Sequence, residues 1–185
     1  MNSKSILLVI LVIFFVSGCS QGLVREIYSH ARHDGDSQAA TAFVALSNMY
    51  LTKEEIIAIE NDYKNERNEK RRYYYEFLLA KRTQEKRYID AFIDDSGRNL
   101  SVLVENKTNW ISIVSPFYKQ IALYSRTNDK ALVVLFKLSQ IADGAVLETV
   151  SDDLSEILKS NKQRFWKVAG GAGFKKSDIL QLMED

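Results

Sequence analysis

The chain has 185 residues, enough for one domain with a real hydrophobic core. Its 25 Lys and Arg residues balance 24 Asp and Glu residues, so the chain has no strong net charge to attract nucleic acid, and it carries no nucleic-acid-binding motif. One proline and eight glycines among many Lys, Glu, Leu and Ala residues are typical of a helical protein.

The first predicted element is the apolar run from Ile6 to Val16. It is 11 residues long, whereas a helix that crosses a bilayer needs about 17 to 25. Lys4 precedes the run, and the small residues Ser17 and Gly18 follow it. A basic start, an apolar centre and a small-residue exit are the parts of a secretory signal peptide.

The single cysteine of the chain, Cys19, directly follows the small residues at the end of this segment. The tetrad Val16-Ser17-Gly18-Cys19 resembles the lipobox of bacterial lipoproteins, in which a branched apolar residue and two small residues precede a cysteine. The resemblance implies that a signal peptidase recognises Val16, Ser17 and Gly18 and cleaves before Cys19. It also implies that the Cys19 thiol receives a diacylglycerol and that the new amino terminus is acylated in turn; two or more acyl chains anchor a protein stably. An ordinary signal peptide with a chance cysteine, or a buried N-terminal helix, would be the alternative.

The resemblance also predicts where in the cell the protein is located and how its chain is divided into domains. In bacterial lipoproteins an aspartate directly after the cysteine favours the inner membrane, and Ser20 therefore favours the outer membrane, facing the periplasm. Removal of residues 1–18 leaves 24 basic and 24 acidic residues, so the mature chain is neutral. With Cys19 alkylated, no disulfide, cysteine-ligated zinc site or cysteine nucleophile is possible. We expect a lipidated N-terminus and partly ordered tether over 19–35 and one helical domain over 36–185.

Apolar residues at helical spacing then predict one helix after another. Thr52 and Glu55 form a capping box that starts the second of them, and Pro116 after Ser115 marks another helix start. We expect the sequence at Asp94 to Gly97 to interrupt a helix and the glycines at Ala169 to Gly173 to separate two others. The predicted stripes include Ala39, Phe43, Leu46 and Tyr50 in the first helix, Tyr74, Tyr75, Leu78 and Leu79 in the third, and Ala131, Val134, Leu135, Leu138 and Ile141 after Asn128.

Helix starts near residues 36, 68, 98, 128 and 161 suggest helix pairs that recur about every 30 residues. The stretch from Asn128 to Val168 resembles a HEAT-like helix pair, because its apolar stripes flank a tight Asp-Gly turn. This predicts an all-α fold of stacked antiparallel helix pairs, a HEAT-like α-solenoid, with an irregular helical bundle as the alternative. The two halves show no convincing residue-level similarity.

Candidate chemical sites are few. The two histidines, His30 and His33, lie near Asp34 and Asp36, a combination that could ligate zinc or nickel. Because the segment is predicted to be a tether, a solvated linker is the preferred interpretation, and we predict no metal site and no cofactor. No hydrolase, metalloprotease or phosphate-loop motif is present, so the sequence predicts no enzyme and identifies no small-molecule substrate.

A protein-binding patch is predicted instead. Three consecutive tyrosines cannot all lie on one buried stripe of a helix, so we expect Tyr73 to be exposed beside Arg71 and Arg72. Tyr and Arg are enriched at interface hot spots. Trp110 and Tyr118 form a second candidate for protein contact.

These observations predict a membrane-anchored, non-catalytic lipoprotein. Its expected role is to bind another envelope protein as an adaptor, assembly factor or scaffold. Two alternatives stay open at this point: an immunity or inhibitor lipoprotein that binds a toxin enzyme in the periplasm, and an envelope hydrolase whose site the sequence does not reveal.

Overall fold

The computed structural model describes residues 22–100 and 115–184. The described residues are all-helical, with no strands, and their helices pack in adjacent pairs, as in a helical repeat or bundle. The predicted all-α fold class is confirmed. In chain order the ten helices are α1 (22–33), α2 (Asp36–Asn48), α3 (Lys53–Asn65), α4 (Glu69–Thr83), α5 (Lys86–Arg98), α6 (Ser115–Ser125), α7 (Asp129–Ser139), α8 (Gly144–Ser160), α9 (Lys162–Gly171) and α10 (Lys176–Glu184).

Side-chain caps set several of these helix starts. Thr52 and Glu55 form the predicted capping box at α3, with Thr52 N–H donating to Glu55 Oε2 at 2.7 Å. Asn128 accepts from the first turn of α7, and Asn161 does the same for α9. These side chains satisfy backbone N–H groups that have no partner inside the helix.

The chain divides into two compact units, Met1–Leu78 and Leu79–Asp185. The sequence predicts one helical domain over 36–185, so it does not anticipate this division. In the first unit, Phe43 of α2 packs edge to face on Tyr75 of α4 with ring centroids 4.6 Å apart, and it also meets Tyr74. In the second unit, α7 is central, since it packs against α5, α6, α8 and α9.

The order of elements in the first half repeats in the second. Helices α1 to α4 and α6 to α9 match in sequence order, and α2 and α7 begin 93 positions apart, at Asp36 and Asp129. Several residues keep this spacing and their type: Phe43 and Phe136, which are both fully buried, Asn68 and Asn161, and Arg71 and Arg164. The structure therefore shows a correspondence between the halves that residue-level comparison of the sequence does not find.

The two matching arginines act alike. The Arg71 guanidinium donates to the carbonyl oxygens of Arg32 and Asp34, at 2.8 and 3.0 Å. The Arg164 guanidinium donates to the Arg126 carbonyl at 3.0 Å and to Asp129 Oδ1 at 2.7 Å. In each half a cation near the start of one helix thus satisfies carbonyl groups at the end of an earlier helix, where the helix dipole favours positive charge.

Four local predictions are wrong. Ile141 lies after the end of α7 and is 49% exposed, not on its buried stripe. Residues 22–33 are helical rather than a partly ordered tether, because Val24 and Ala31 are buried and hold α1 in the fold. Tyr50 lies after the end of α2 and is 82% exposed, not on its buried stripe. Helix α5 continues through Gly97 to Arg98, because Asp95 and Ser96 are buried within it.

Candidate functional site

The proposed lipidation site lies outside the described residues, as do the recognition residues Val16, Ser17 and Gly18, and Trp110. The described chain nevertheless limits how far Cys19 can lie from the fold. Only two residues, Ser20 and Gln21, lie between Cys19 and Gly22 of α1, and an extended chain spans at most about 3.6 Å for each of the three steps from Cys19 to Gly22. The sulfur-bearing residue is therefore within about 11 Å of helix α1 along the backbone.

The predicted exposure of Tyr73 is wrong. Its side chain is 2% exposed, and every residue from Tyr73 to Ala80 is buried. A helix that is buried all round has no polar face on which an intervening tyrosine could lie. The same error applies to Tyr118, which is also 2% exposed and donates its hydroxyl to Asp153 and to the Thr149 carbonyl. Neither tyrosine is available as a surface contact.

Arg72 belongs to a partly buried polar network rather than to an open patch. It donates to Tyr63 Oη at 3.0 Å, lies over the Tyr63 ring at 4.4 Å from the centroid, and approaches Glu76 Oε1 at 3.4 Å. Tyr63 in turn donates to Glu76 at 3.0 Å. The Glu76 side chain is 2% exposed, so the network holds a buried carboxylate with the charge and hydroxyl that compensate it.

A polar cavity of about 210 Å³ opens between α1, α3 and α4. Asp62 accepts from the Tyr28 hydroxyl at 2.7 Å and lies 3.4 Å from Arg32 Nε. The hydroxyls of Tyr28 and Tyr75 are 3.4 Å apart. Its lining combines cationic, anionic and neutral polar groups: Arg32, His33, Asp62, Asn65, Glu66 and Tyr75.

The tyrosines of this cavity are held in the neutral form. Burial, followed by the hydrogen bonds to Tyr75 and Asp62, raises the pKa of Tyr28 far above its ordinary value. Burial likewise raises the pKa of Tyr75. These hydroxyls can donate and accept hydrogen bonds, but at neutral pH they are not bases, so the cavity is suited to holding polar groups in fixed orientations.

A second and larger opening, the α1–α2 groove, has a volume of about 380 Å³ and a mostly apolar lining. Its walls are formed by Ile27 and His30 of α1, by Asp34 just after α1, and by Thr41, Ala42 and Ala45 of α2, among others. The α2 residues of this groove are not among the binding residues predicted from the sequence. Ser37, Thr41 and Ala45 recur every four residues on one face of α2, and that small-residue spacing is the signal in the sequence that marks this face.

The two histidines are not part of a metal site among the described residues. In this part of the chain, no group of three or more His, Cys, Asp and Glu side chains is placed to hold a metal ion. His30 Nδ1 instead lies 2.8 Å from Asp34 Oδ2, four residues along the chain. His33 lines the polar cavity.

Tyr118 should make stability sensitive to alkaline pH. Burial and the hydrogen bond to Asp153 raise its pKa well above the ordinary value of about 10. A raised folded-state pKa gives stability that is complete below about pH 10 and is lost as pH rises above that value. Tyr118→Phe should therefore lose less stability than wild type between pH 9 and 11 in urea titrations, about 1 kcal/mol or more of difference.

Tyr50→Phe is the matched control, because this exposed tyrosine should leave the wild-type slope unchanged. An equal alkaline loss in the Tyr118→Phe and wild-type proteins would contradict the prediction.

Comparison with known proteins gives no relative: no family model matches the chain, and neither a curated protein nor a solved structure is detectably similar to it. Among the described helices, none has both the length and the hydropathy needed to span a membrane.

Proposed function

We propose that this chain is a bacterial lipoprotein, anchored in the outer membrane through acylated Cys19, that binds another envelope protein as an adaptor, assembly factor or scaffold. The observation that carries the proposal is the tetrad Val16-Ser17-Gly18-Cys19 at the end of an apolar run too short to span a bilayer. A thiolate is a strong nucleophile that can accept a diacylglyceryl group by alkylation, and the small residues before it let an extended backbone enter a peptidase.

The position of α1 supports a fold held close to the membrane. Two residues connect Cys19 to the described helix, and that helix is fixed to its unit by buried Val24 and Ala31. An anchor on so short a connection keeps the first unit within about 11 Å of the acylated residue. The α1–α2 groove of this unit then lies where a neighbouring envelope protein can reach it, and such a contact requires no catalytic group.

The role of Cys19 is tested by Cys19→Ser, which removes the sulfur that accepts the lipid. We expect an unlipidated, unprocessed precursor that keeps residues 1–18, as measured by the intact mass of the protein purified from membranes. Ser20→Ala is the control and should be lipidated and processed like wild type. Normal processing of the Cys19→Ser protein would contradict the anchor.

The binding role is tested with the lipidated wild type, affinity-purified from detergent-solubilised envelopes of its own host. We expect one or more envelope proteins to co-purify in a fixed ratio and to remain after washes at high salt. Recovery of the lipoprotein alone, under conditions that preserve known envelope complexes, would contradict the binding role while leaving the anchor intact.

A further inference from the structure

The matching order of helices in the two halves allows their equivalent faces to be compared. The groove residues Thr41, Ala42 and Ala45 lie 93 positions before Val134, Leu135 and Leu138. The three residues of the second unit are buried, whereas in the first unit Ala42 is buried, Thr41 is exposed and Ala45 is partly exposed. The same helix face is therefore covered in the second unit and open in the first.

The cover in the second unit includes helix α5. This helix packs against α7, and a Cβ placed on Gly97 would lie 3.5 Å from Cγ2 of Val134. Ile89, Ile93 and Gly97 share one face of α5 at four-residue spacing. Beside this stripe, Asp94 accepts from Lys130 Nζ of α7 at 2.9 Å. The second unit thus shows what kind of element fits this face: an amphipathic helix with a small residue at the contact and a charge beside it.

The groove in the first unit differs from its counterpart in charge. Ser37 stands where the second unit has Lys130, and the residues that line the groove include the acidic Asp34 but neither Lys nor Arg. The Asp34 carboxylate lies at the rim of the groove, with its Oδ2 2.8 Å from Nδ1 of the half-exposed His30. Charge complementarity therefore calls for a basic residue on the covering helix, in place of the acidic residue that α5 presents.

We infer that the α1–α2 groove binds an amphipathic helix of a partner protein, whose apolar stripe contains small residues and is flanked by a Lys or Arg that pairs with Asp34. The inference rests on the proposed protein-binding function and gives that function a location. In helix-in-groove recognition the apolar face of an amphipathic helix lies in an apolar groove, and the α1–α2 groove has that form.

The probe is a pair of synthetic peptides derived from α5, which covers the equivalent face. Both span residues 84–98 and have the side chains of Lys86 and Asp90, an exposed ion pair in the protein, joined as a lactam to favour the helix. One peptide keeps Asp94 and the other carries Asp94→Lys. Binding to the full mature protein is measured by fluorescence anisotropy at low salt.

We expect the Asp94→Lys peptide to bind about threefold more tightly than the Asp94 peptide, the size of one exposed ion pair. The Asp34→Lys protein should reverse this preference. Thr41→Arg, which places a bulky cation in the groove, should weaken binding of the Asp94→Lys peptide about tenfold or more. Thr149→Arg is the matched control, because Thr149 is also exposed and its hydroxyl also donates to the carbonyl four residues earlier.

Three results would overturn the inference. One is the absence of saturable binding of either peptide up to about 1 mM. Another is self-association of the wild type that Thr41→Arg abolishes, which would assign the groove to a second copy of the chain. The third is binding to phosphatidylethanolamine and phosphatidylglycerol vesicles that Thr41→Arg abolishes in the unlipidated mature chain, which would assign it to the bilayer. Because the assay uses purified protein and defined peptides, its failure is distinct from failure of the co-purification that tests the proposed function.

Discussion

Replacing Tyr73 by alanine is expected to lower the free energy of unfolding by about 3 to 5 kcal/mol. The ring is 2% exposed, and its centroid lies 6.2 Å from that of Tyr74. Removal of a buried aromatic ring loses its transfer free energy and leaves a cavity that rigid neighbours fill only in part. Urea unfolding followed by circular dichroism measures the loss.

Tyr50→Ala is the control for this experiment. Tyr50 is 82% exposed, so the same truncation should change the free energy of unfolding by less than about 0.5 kcal/mol. A Tyr73→Ala protein as stable as wild type would restore the exposed tyrosine that the sequence pattern predicts and would contradict the burial of α4.

Arg72→Met is expected to cost about 2 kcal/mol of stability, because it leaves the carboxylate of Glu76 buried with less compensation. The expected loss is below that of a fully buried ion pair, since the Arg72 side chain is 41% exposed and solvent screens it. Adding Glu76→Gln should recover part of the loss, because a neutral amide no longer needs the guanidinium and can still accept from Tyr63. The wild type, the two single variants Arg72→Met and Glu76→Gln, and the variant with both changes form a double-mutant cycle.

Arg87→Met is the matched control for the cycle. Arg87 also lies over a tyrosine ring, at 4.4 Å from the centroid of Tyr88, and it also pairs with a glutamate, Glu85, at 2.8 Å. Glu85 is about half exposed, so removal of its partner should cost less than about 1 kcal/mol. Equal losses for Arg72→Met and Arg87→Met would contradict a special role for the buried carboxylate.

The helices could be predicted from sequence because their signals are local. The Thr52 and Glu55 capping box and the start of α7 after Asn128 depend on residues within one turn, and both are confirmed. The burial of Tyr73 could not be predicted in the same way. Helical spacing assigns one buried face to a helix, whereas α4 is buried on every side from Tyr73 to Ala80, which depends on neighbours distant in sequence.

The correspondence between the halves was hidden for a similar reason. Equivalent positions change their residue type, as Thr41, Ala42 and Ala45 do in relation to Val134, Leu135 and Leu138, and Thr41 and Ala45 are also less buried than their counterparts. A change from small to large residues alters the sequence pattern. Where a helix covers the larger residues, as α5 does in the second unit, the order of helices in the two halves is still the same. The small residues of α2 leave the α1–α2 groove open. The same small residues make the two halves look different in sequence, so one feature accounts both for the missed correspondence and for the candidate site.

The central claim is the acylated anchor at Cys19, and the mass of the mature wild-type protein tests it most directly. Mass spectrometry of the protein purified from outer membranes should show an amino terminus at Cys19, with residues 1–18 absent, a diacylglyceryl group on the sulfur and an acyl chain on the amino group. An unmodified Cys19, or an amino terminus at any other residue, would contradict the account.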